Sequence, residues 1–578
     1  MCYCCDIITP MHIDIVPNRA STPTILLRES YRDGDKVKKR TIGNISSLSM
    51  DKVELIRQVL RGDSLVPVAD LFENTSSVHH GHVKAVYSAM NRLGMDKLIG
   101  SRPSRERDLV LAMVAARIVD PDSKLATTRW WKNTTLPEVF DVTGAGEDEL
   151  YAAMDWLQAR QDAIEKKLAT RHLQEGGRVL YDLSSSYVEG THCPLAARGY
   201  NRDGKQGKLQ INYGLLTSPL GIPVAISAFS GNTSDPKTVM EQVTKVRGDF
   251  GIGEMVLVGD RGMISQGHID NLRDEAGIDW ITALKSGAIR KLISSDSLQL
   301  GLFDEKNLFE FSHPDYPGER LIACKNHDLA RLRSHKRQSL LDATIAELEK
   351  IKKMVDGGRL KDKDKIGVRT GKVINKYKMS KHIELDIKDT SITWKIKEDK
   401  VREEKSLDGI YIIRTSVSSD KMNSDEAVRS YKSLSQVERA FRSMKSIDLE
   451  VRPIYHRLEN RVRSHLFLCM LSYYVKWHMM EAWRPLIFAD EDKERTKTRD
   501  PVAPAKRSAQ ALEKVATKQL EDGTEVHSFQ TLLKGLATIV RNICRYKKPG
   551  DKSPTFTMDT IPSKEQQRAF DLLAAIRM

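Results

Sequence analysis

Cysteine is scarce in this chain: seven in 578 residues. Cys2, Cys4 and Cys5 crowd the first five positions, while Cys193, Cys324, Cys469 and Cys544 are scattered, so no disulfide framework can be drawn. That usage fits a reducing compartment. No second ligand pair stands at finger-like spacing from the N-terminal cysteines, which excludes a zinc finger. Long apolar runs are missing too. A mainly apolar run such as Leu466 to Val475 falls far short of the roughly 18 residues a bilayer span needs. No basic-then-apolar leader opens the sequence, and no strongly amphipathic basic helix carries a Trp or Phe face. The expectation is a cytoplasmic protein with no membrane partner. A more ordinary start at Met11 suggests that residues 1–10 are over-called, from a start placed too far upstream, and have no role. Fixed-period repeats, a GK[ST] phosphate loop and a Ser/His/Asp pattern are also lacking. Gly248, Gly251 and Gly253 read as a turn.

What is present is charge. Lys plus Arg number 92 against 78 for Asp plus Glu, a formal net charge of +14 with a pI near 9.2. The excess is concentrated: residues 331–380 hold 15 Lys/Arg against 6 Asp/Glu. A basic stretch can be a solvated helix face, but combined with a basic whole it points to a polyanion, with nucleic acid favoured.

The chain is long enough for several structural units. Residues 1–75 read as an N-terminal arm with short strands and a turn at Arg32-Asp33-Gly34-Asp35. From 76 to 175 the pattern is helical, with Val83, Val86, Met90 and Leu93 spaced by threes and fours. Residues 176–289 turn to short apolar strands: Val179-Leu180-Tyr181, alternation through Leu209 to Leu215, a return over Val224 to Phe229, and Met255 to Val258. Asp235-Pro236 opens a helix between them. Residues 290–405 read as a basic insertion with a long helix from Leu329 to Met354. The sheet resumes near Ile410, and a strong helix starts from an N-cap at Ser424 with the stripe Val428, Tyr431, Leu434, Val437, Phe441 and Met444. Residues 481–578 are legible only as a polar linker and a helix over Leu532 to Ile543.

Two apolar strands each end in an aspartate, Asp182 and Asp260. A strand-terminal Asp is often only a turn former; two of them beyond neighbouring strand ends can deliver carboxylates to a metal. Tyr431, Glu438 and Lys445 are spaced by sevens, so they share one line along a helix. The alternative for Glu438 is a solvent-facing pair with Arg442. Trp394, among basic residues, suits either base stacking or the insertion's own core. His456 and Glu459, three apart, lack a third partner and are read as structural.

The acids in the order Asp182, Asp260, Glu438, separated by 78 and 178 residues, resemble those of a DDE transposase of bacterial insertion sequences. Tyr431, Glu438 and Lys445 are similar to the Tyr–Arg–Glu–Lys signature of the insertion-sequence-four superfamily, whose members carry a β-rich insertion before the Glu. Leu434 stands where that signature usually has Arg, so either a neighbouring cation such as Arg442 serves the DNA backbone instead or the end-binding geometry differs. Gly259-Asp260-Arg261-Gly262 and Arg452-Pro453-Ile454-Tyr455 are further phrases of that kind. The resemblance implies an α/β fold: a ribonuclease-H-like mixed sheet with flanking helices, formed by 176–289 and 406–480. It would be interrupted by the β-rich and helical insertion and preceded by a mainly helical DNA end-binding region. It implies Asp182, Asp260 and Glu438 as catalytic ligands of two Mg²⁺ ions, with Mn²⁺ able to substitute. Tyr431, Lys445, Arg442 and Trp394 would contact DNA. The expected activity is binding of terminal inverted repeats, cleavage at element ends and joining to target DNA, by a homodimer working at the bacterial or archaeal nucleoid. The rivals are a metal-dependent nuclease without strand transfer and a decayed or domesticated DNA-binding protein without catalysis.

Overall fold

A computed structural model of the chain describes residues 11–577, apart from 20, 64–70, 296, 297, 300, 302, 304, 305, 447 and 548–553 and the side chains of 495–497. Cys2, Cys4 and Cys5 therefore lie outside the described residues; the other four cysteines are free and buried. The chain divides into two compact units, Met1–Ser77 with Asn542–Met558, and Val78–Arg541 with Asp559–Met578.

In the first unit, β1 (Met11–Val16), β2 (Thr24–Asp33) and β3 (Lys36–Asn44) form an antiparallel sheet, followed by helix α1 (Met50–Leu60). The β2–β3 turn uses Gly34 at φ +64°, a conformation open to glycine at little cost. Strand β4 (Phe72–His79) follows.

The second unit opens with helices, among them α2 (Gly81–Arg92), α3 (Arg105–Val119), α4 (Glu147–Gln158) and α5 (Gln161–His172). Val83, Val86, Met90 and Leu93 are all buried, as their spacing requires. Then comes the sheet: β5 (Gly177–Tyr187), β6 (Gln210–Thr217), β7 (Pro223–Ser230), β8 (Met255–Gly259), β9 (Ile278–Ala283), β10 (Leu308–Phe311) and β11 (Arg320–Lys325). Helices α6 (His327–Asp356) and α7 (Lys363–Tyr377), with the hairpin β12 (Ile383–Lys388) and β13 (Ser391–Ile396), build small cores of their own before β14 (Ile410–Thr415) rejoins the sheet. The eight strands run in the order β10-β11-β14-β9-β8-β5-β6-β7. β5, β6 and β7 are antiparallel; β8 and β9 are parallel to β5; β14, β11 and β10 add on antiparallel.

The insertion thus departs from the sequence reading in one respect. Its first two strands lengthen the large sheet, because Leu321 to Cys324 are fully apolar and buried on both faces. The excursion that follows leaves and returns at one point: Lys325 pairs with Ile410, and the Asn326 N–H donates to the Gly409 carbonyl at 2.9 Å. Gly409 sits at φ +77°, and a Cβ there would meet the Asn326 carbonyl oxygen at 2.3 Å.

Helices α8 (Ser424–Lys432) and α9 (Leu434–Lys445) replace the single helix expected from Ser424. The N-cap is Asn423, whose side chain accepts from the Glu426 N–H at 2.9 Å. Long helix α10 (Glu459–Ala482) holds the run Leu466 to Val475, every residue of it buried, against α3, α4 and β7. Its middle is a core segment, with charged residues towards both ends. Among the described residues no helix is long and apolar enough to cross a membrane. At the end of the chain, Phe529–Ala537 is helical and β15 (Val540–Tyr546) is extended, so the helix expected over Leu532 to Ile543 stops early. β15 pairs between β4 and β16 (Thr555–Asp559).

Candidate active site

Strands β5 and β8 lie side by side and parallel, with Tyr181 opposite Gly259. The next residue on each is an acid, so Asp182 and Asp260 emerge as register neighbours. β5 continues past Asp182 to Tyr187, whereas β8 ends at Gly259. Asp182 is accordingly half-buried and Asp260 exposed. An Asp182 oxygen accepts from its neighbour's backbone, Leu183 N–H, at 2.8 Å. Burial pushes the Asp182 carboxyl up to about 7; the charges of Asp260 and Glu438 push the same way, while the Leu183 N–H and Arg202 oppose them.

Helix α9 brings the third acid. Leu434, Val437, Ala440, Phe441 and Met444 are its buried stripe, and the helix packs on β5. Glu438 stands beside that stripe, exposed. Its charge reaches both Asp182 and Tyr431. Among the described residues no ion pair joins Glu438 to Arg442, and Arg442 is exposed. Nor, among them, do three or more acid, histidine or cysteine side chains close to metal-ligating spacing. The acids are near enough to feel one another and are not clamped together.

Tyr431, on α8, donates to Asp260 Oδ1 at 3.1 Å. Burial raises its phenol's pKa, and the Asp260 charge and hydrogen bond raise it further. Lys445 closes α9 and is turned inward. Its Nζ lies 3.1 Å from Asp203 Oδ1, and burial lowers its pKa against the pull of Asp203. Leu434 is 8% exposed and part of the apolar stripe. A cation at this position would point into the core. Trp394 on β13 is half-buried between the two small cores of the insertion, packed with the clusters around Leu348 and Ile351.

Two residues near this end of the sheet, Asp203 and Arg202, were missed from sequence. Asp203 is 1% exposed at its side chain and takes Lys445, Arg452 and the Tyr187 N–H (3.1 Å). Arg202 binds both oxygens of Asp235 at 2.6 Å. Asn201-Arg202-Asp203-Gly204 looks like an ordinary polar turn; only its place, after the strand carrying the first acid, could have drawn attention to it. His456 and Glu459 hold no joint site: Glu459 pairs with Arg463 at 2.7 Å, and His456 is packed against the rings of Tyr151 and His465.

A search of curated proteins found no match. A solved structure of the piggyBac transposase synaptic complex with hairpin DNA aligns with 78% of this chain and 77% of its own, at 9% identity and a TM-score of 0.33. Residues 13–65 match the family described as IS1634 family transposase, N-terminal domain. Residues 175–475, more than half the chain and the whole of the sheet with its acids, match the Transposase DDE domain. The chain belongs to the DDE transposases of insertion sequences, enzymes of the polynucleotidyl-transferase type.

Proposed function

We propose that this protein binds the terminal inverted repeats of its own mobile element, cleaves DNA at the element's ends and joins them to target DNA. One observation carries the reading: Asp182 and Asp260 each follow the last paired residues, Tyr181 and Gly259, of the adjoining parallel strands β5 and β8, and Glu438 stands on the helix packed on β5, where its charge raises Asp182. The order β7-β6-β5-β8-β9, antiparallel on one side of β5 and parallel on the other, supports a ribonuclease-H-like core over 176–289 and 406–480.

Three carboxylates offer only hard oxygen donors, and their mutual repulsion is relieved by positive charge between them, so the residues fit a divalent cation. Asp182, Asp260 and Glu438 would hold two Mg²⁺ ions, with Mn²⁺ able to substitute. When bound, such ions supply an activated oxygen nucleophile and stabilise the leaving oxygen of an in-line displacement. The chain's own part is positional. Tyr431 fixes one oxygen of Asp260, the stripe of α9 docks the helix of Glu438 on β5, and Lys445 and Arg442 take the backbone of the cut strand. The basic insertion and the helices of 76–175 add grip on the ends. Synapsis of two ends needs two such sites, hence a homodimer acting in the cytoplasm. The Tyr–Glu–Lys spacing of sevens supports the insertion-sequence-four branch.

Excision from a supercoiled donor plasmid carrying the element tests this. Wild type should cut with Mg²⁺ and not with EDTA, and labelled ends should appear in target DNA. Asp182→Asn, Asp260→Asn and Glu438→Gln should each abolish the product. Persistent cutting in these variants sinks the site; cutting without joined ends leaves a nuclease.

A further inference from the structure

Beside the acids stands a second charged group. Asp203 is buried, and three donors satisfy it: the Tyr187 N–H at 3.1 Å, Lys445 Nζ at 3.1 Å and the guanidinium of Arg452. A buried carboxylate is costly unless paired and hydrogen-bonded, and here it is both. Arg452 also donates through Nε to the Lys445 carbonyl at 3.1 Å, so the two cations are tied to each other as well as to the acid. Both lie at the C-terminus of α9, where positive charge complements the helix dipole.

Two cations around one carboxylate leave a surplus of one positive charge. The acid faces inward, with 1% of its side chain exposed, while Lys445 keeps 12% and Arg452 33%. The surplus is therefore presented to solvent and the counter-charge hidden beneath it. Its place is telling. The Arg202 N–H donates to Ser185 Oγ at 3.2 Å and the Tyr187 N–H to Asp203, so this turn lies along the end of β5, the strand of Asp182, and Lys445 closes the helix of Glu438. Arg202 itself is committed to Asp235.

We infer that Lys445 and Arg452 form a seat for a DNA backbone phosphate beside the one that is cut, and that Asp203 is its positioning residue. This deepens the transposase reading and rests on it. A lysine stem left free would sample many rotamers; held by a buried acid it offers its N–H bonds from one place, and Arg452 adds a planar fork suited to phosphate oxygens. Asp203 touches no substrate. It acts through the two cations, and by holding the last turn of α9 it also steadies the helix that carries Glu438.

The test uses the full-length protein and a labelled DNA duplex in EDTA, with affinity measured over a range of salt, and cutting measured separately with Mg²⁺. Lys445→Gln/Arg452→Gln should make the salt dependence shallower by about 0.9 log unit per log unit of salt, for the one phosphate they share, and each single variant by part of that. Asp203→Asn, which keeps the shape and removes the charge, should bind several-fold tighter with a steeper slope, yet cut at least about tenfold more slowly. The double variant Asp203→Asn/Lys445→Gln should bind near the wild-type level with cutting still impaired. A merely structural acid predicts binding and cutting that fall together. Wild-type slopes in folded Lys445→Gln and Arg452→Gln overturn the seat, as does an Asp203→Asn protein that binds no tighter or cuts at the wild-type rate. Should Asp203→Asn fail to fold, Arg452→Gln alone decides. A wild type that binds no duplex at any salt would sink the transposase reading instead.

Discussion

Tyr431 and Asp260 stand 171 positions apart in sequence and are joined by one hydrogen bond, phenol to carboxylate, at 3.1 Å. With the phenol's pKa raised by burial and then by Asp260, Tyr431 remains a donor across the physiological range. A hydrogen bond to a charged group is worth about 1.5–3 kcal/mol, and about 1.4 kcal/mol is a factor of ten in rate. Tyr431→Phe should therefore slow single-turnover DNA cleavage by about tenfold or more, with a small change in melting temperature. A Phe variant as fast as wild type would show that the bond only docks α8.

Gly214 makes room for the ring behind Asp182. A Cβ at this buried position of β6 would lie 2.1 Å from the Tyr181 hydroxyl and 2.5 Å from its Cε2. Gly214→Ala should destabilise the protein by about 1–3 kcal/mol through overpacking. Tyr181→Phe removes the nearest clashing atom, so the double variant should lose less than the sum of the singles in chemical denaturation. Strict additivity would place the strain elsewhere.

Position 434 offers a different check. Leu434→Arg restores the cation of the resembled signature but drives it into the apolar stripe of α9. Burying an unpaired charge is heavily unfavourable, so the variant should melt several degrees lower and gain nothing in cleavage. A faster enzyme would mean that the arginine reaches DNA.

Acid should weaken the fold through a pair of rings. His172 and His478 pack 6.0 Å apart, and burial holds each at about 4, below the ordinary 6.5 of a free histidine. Between pH 6.5 and 4 the unfolded chain binds the protons that the folded chain refuses, so stability falls as pH drops through that window. Thermal melts at pH 7 and pH 5 should show the loss, and His172→Phe/His478→Phe should reduce it. An unchanged difference would assign the acid sensitivity to other groups.

Much of this arrangement is readable from residues. Val179-Leu180-Tyr181 and Met255 to Val258 announce strands, and the threes and fours of Val83 to Leu93 announce a helix; each is a local pattern that burial enforces. The break between α8 and α9 is not readable, because Ser433 keeps helical dihedrals and only the hydrogen-bond ladder shifts. Nor is the end of the last predicted helix: Leu532 to Ile543 is apolar enough for either element, and the pairing of β15 decides for a strand from Val540. Asp203 is the plainest omission. Its neighbours in sequence are those of a solvated turn, and what makes it buried, Lys445 and Arg452, lies some 240 positions away.

The closure of the insertion at Lys325 and Ile410 makes it a detachable module. Its two ends sit one strand spacing apart, about 4.8 Å, so a short hairpin turn could bridge them and leave the large sheet unbroken. A lineage could then exchange whatever lies between these two residues for a longer, shorter or unrelated segment without refolding the enzyme beneath it.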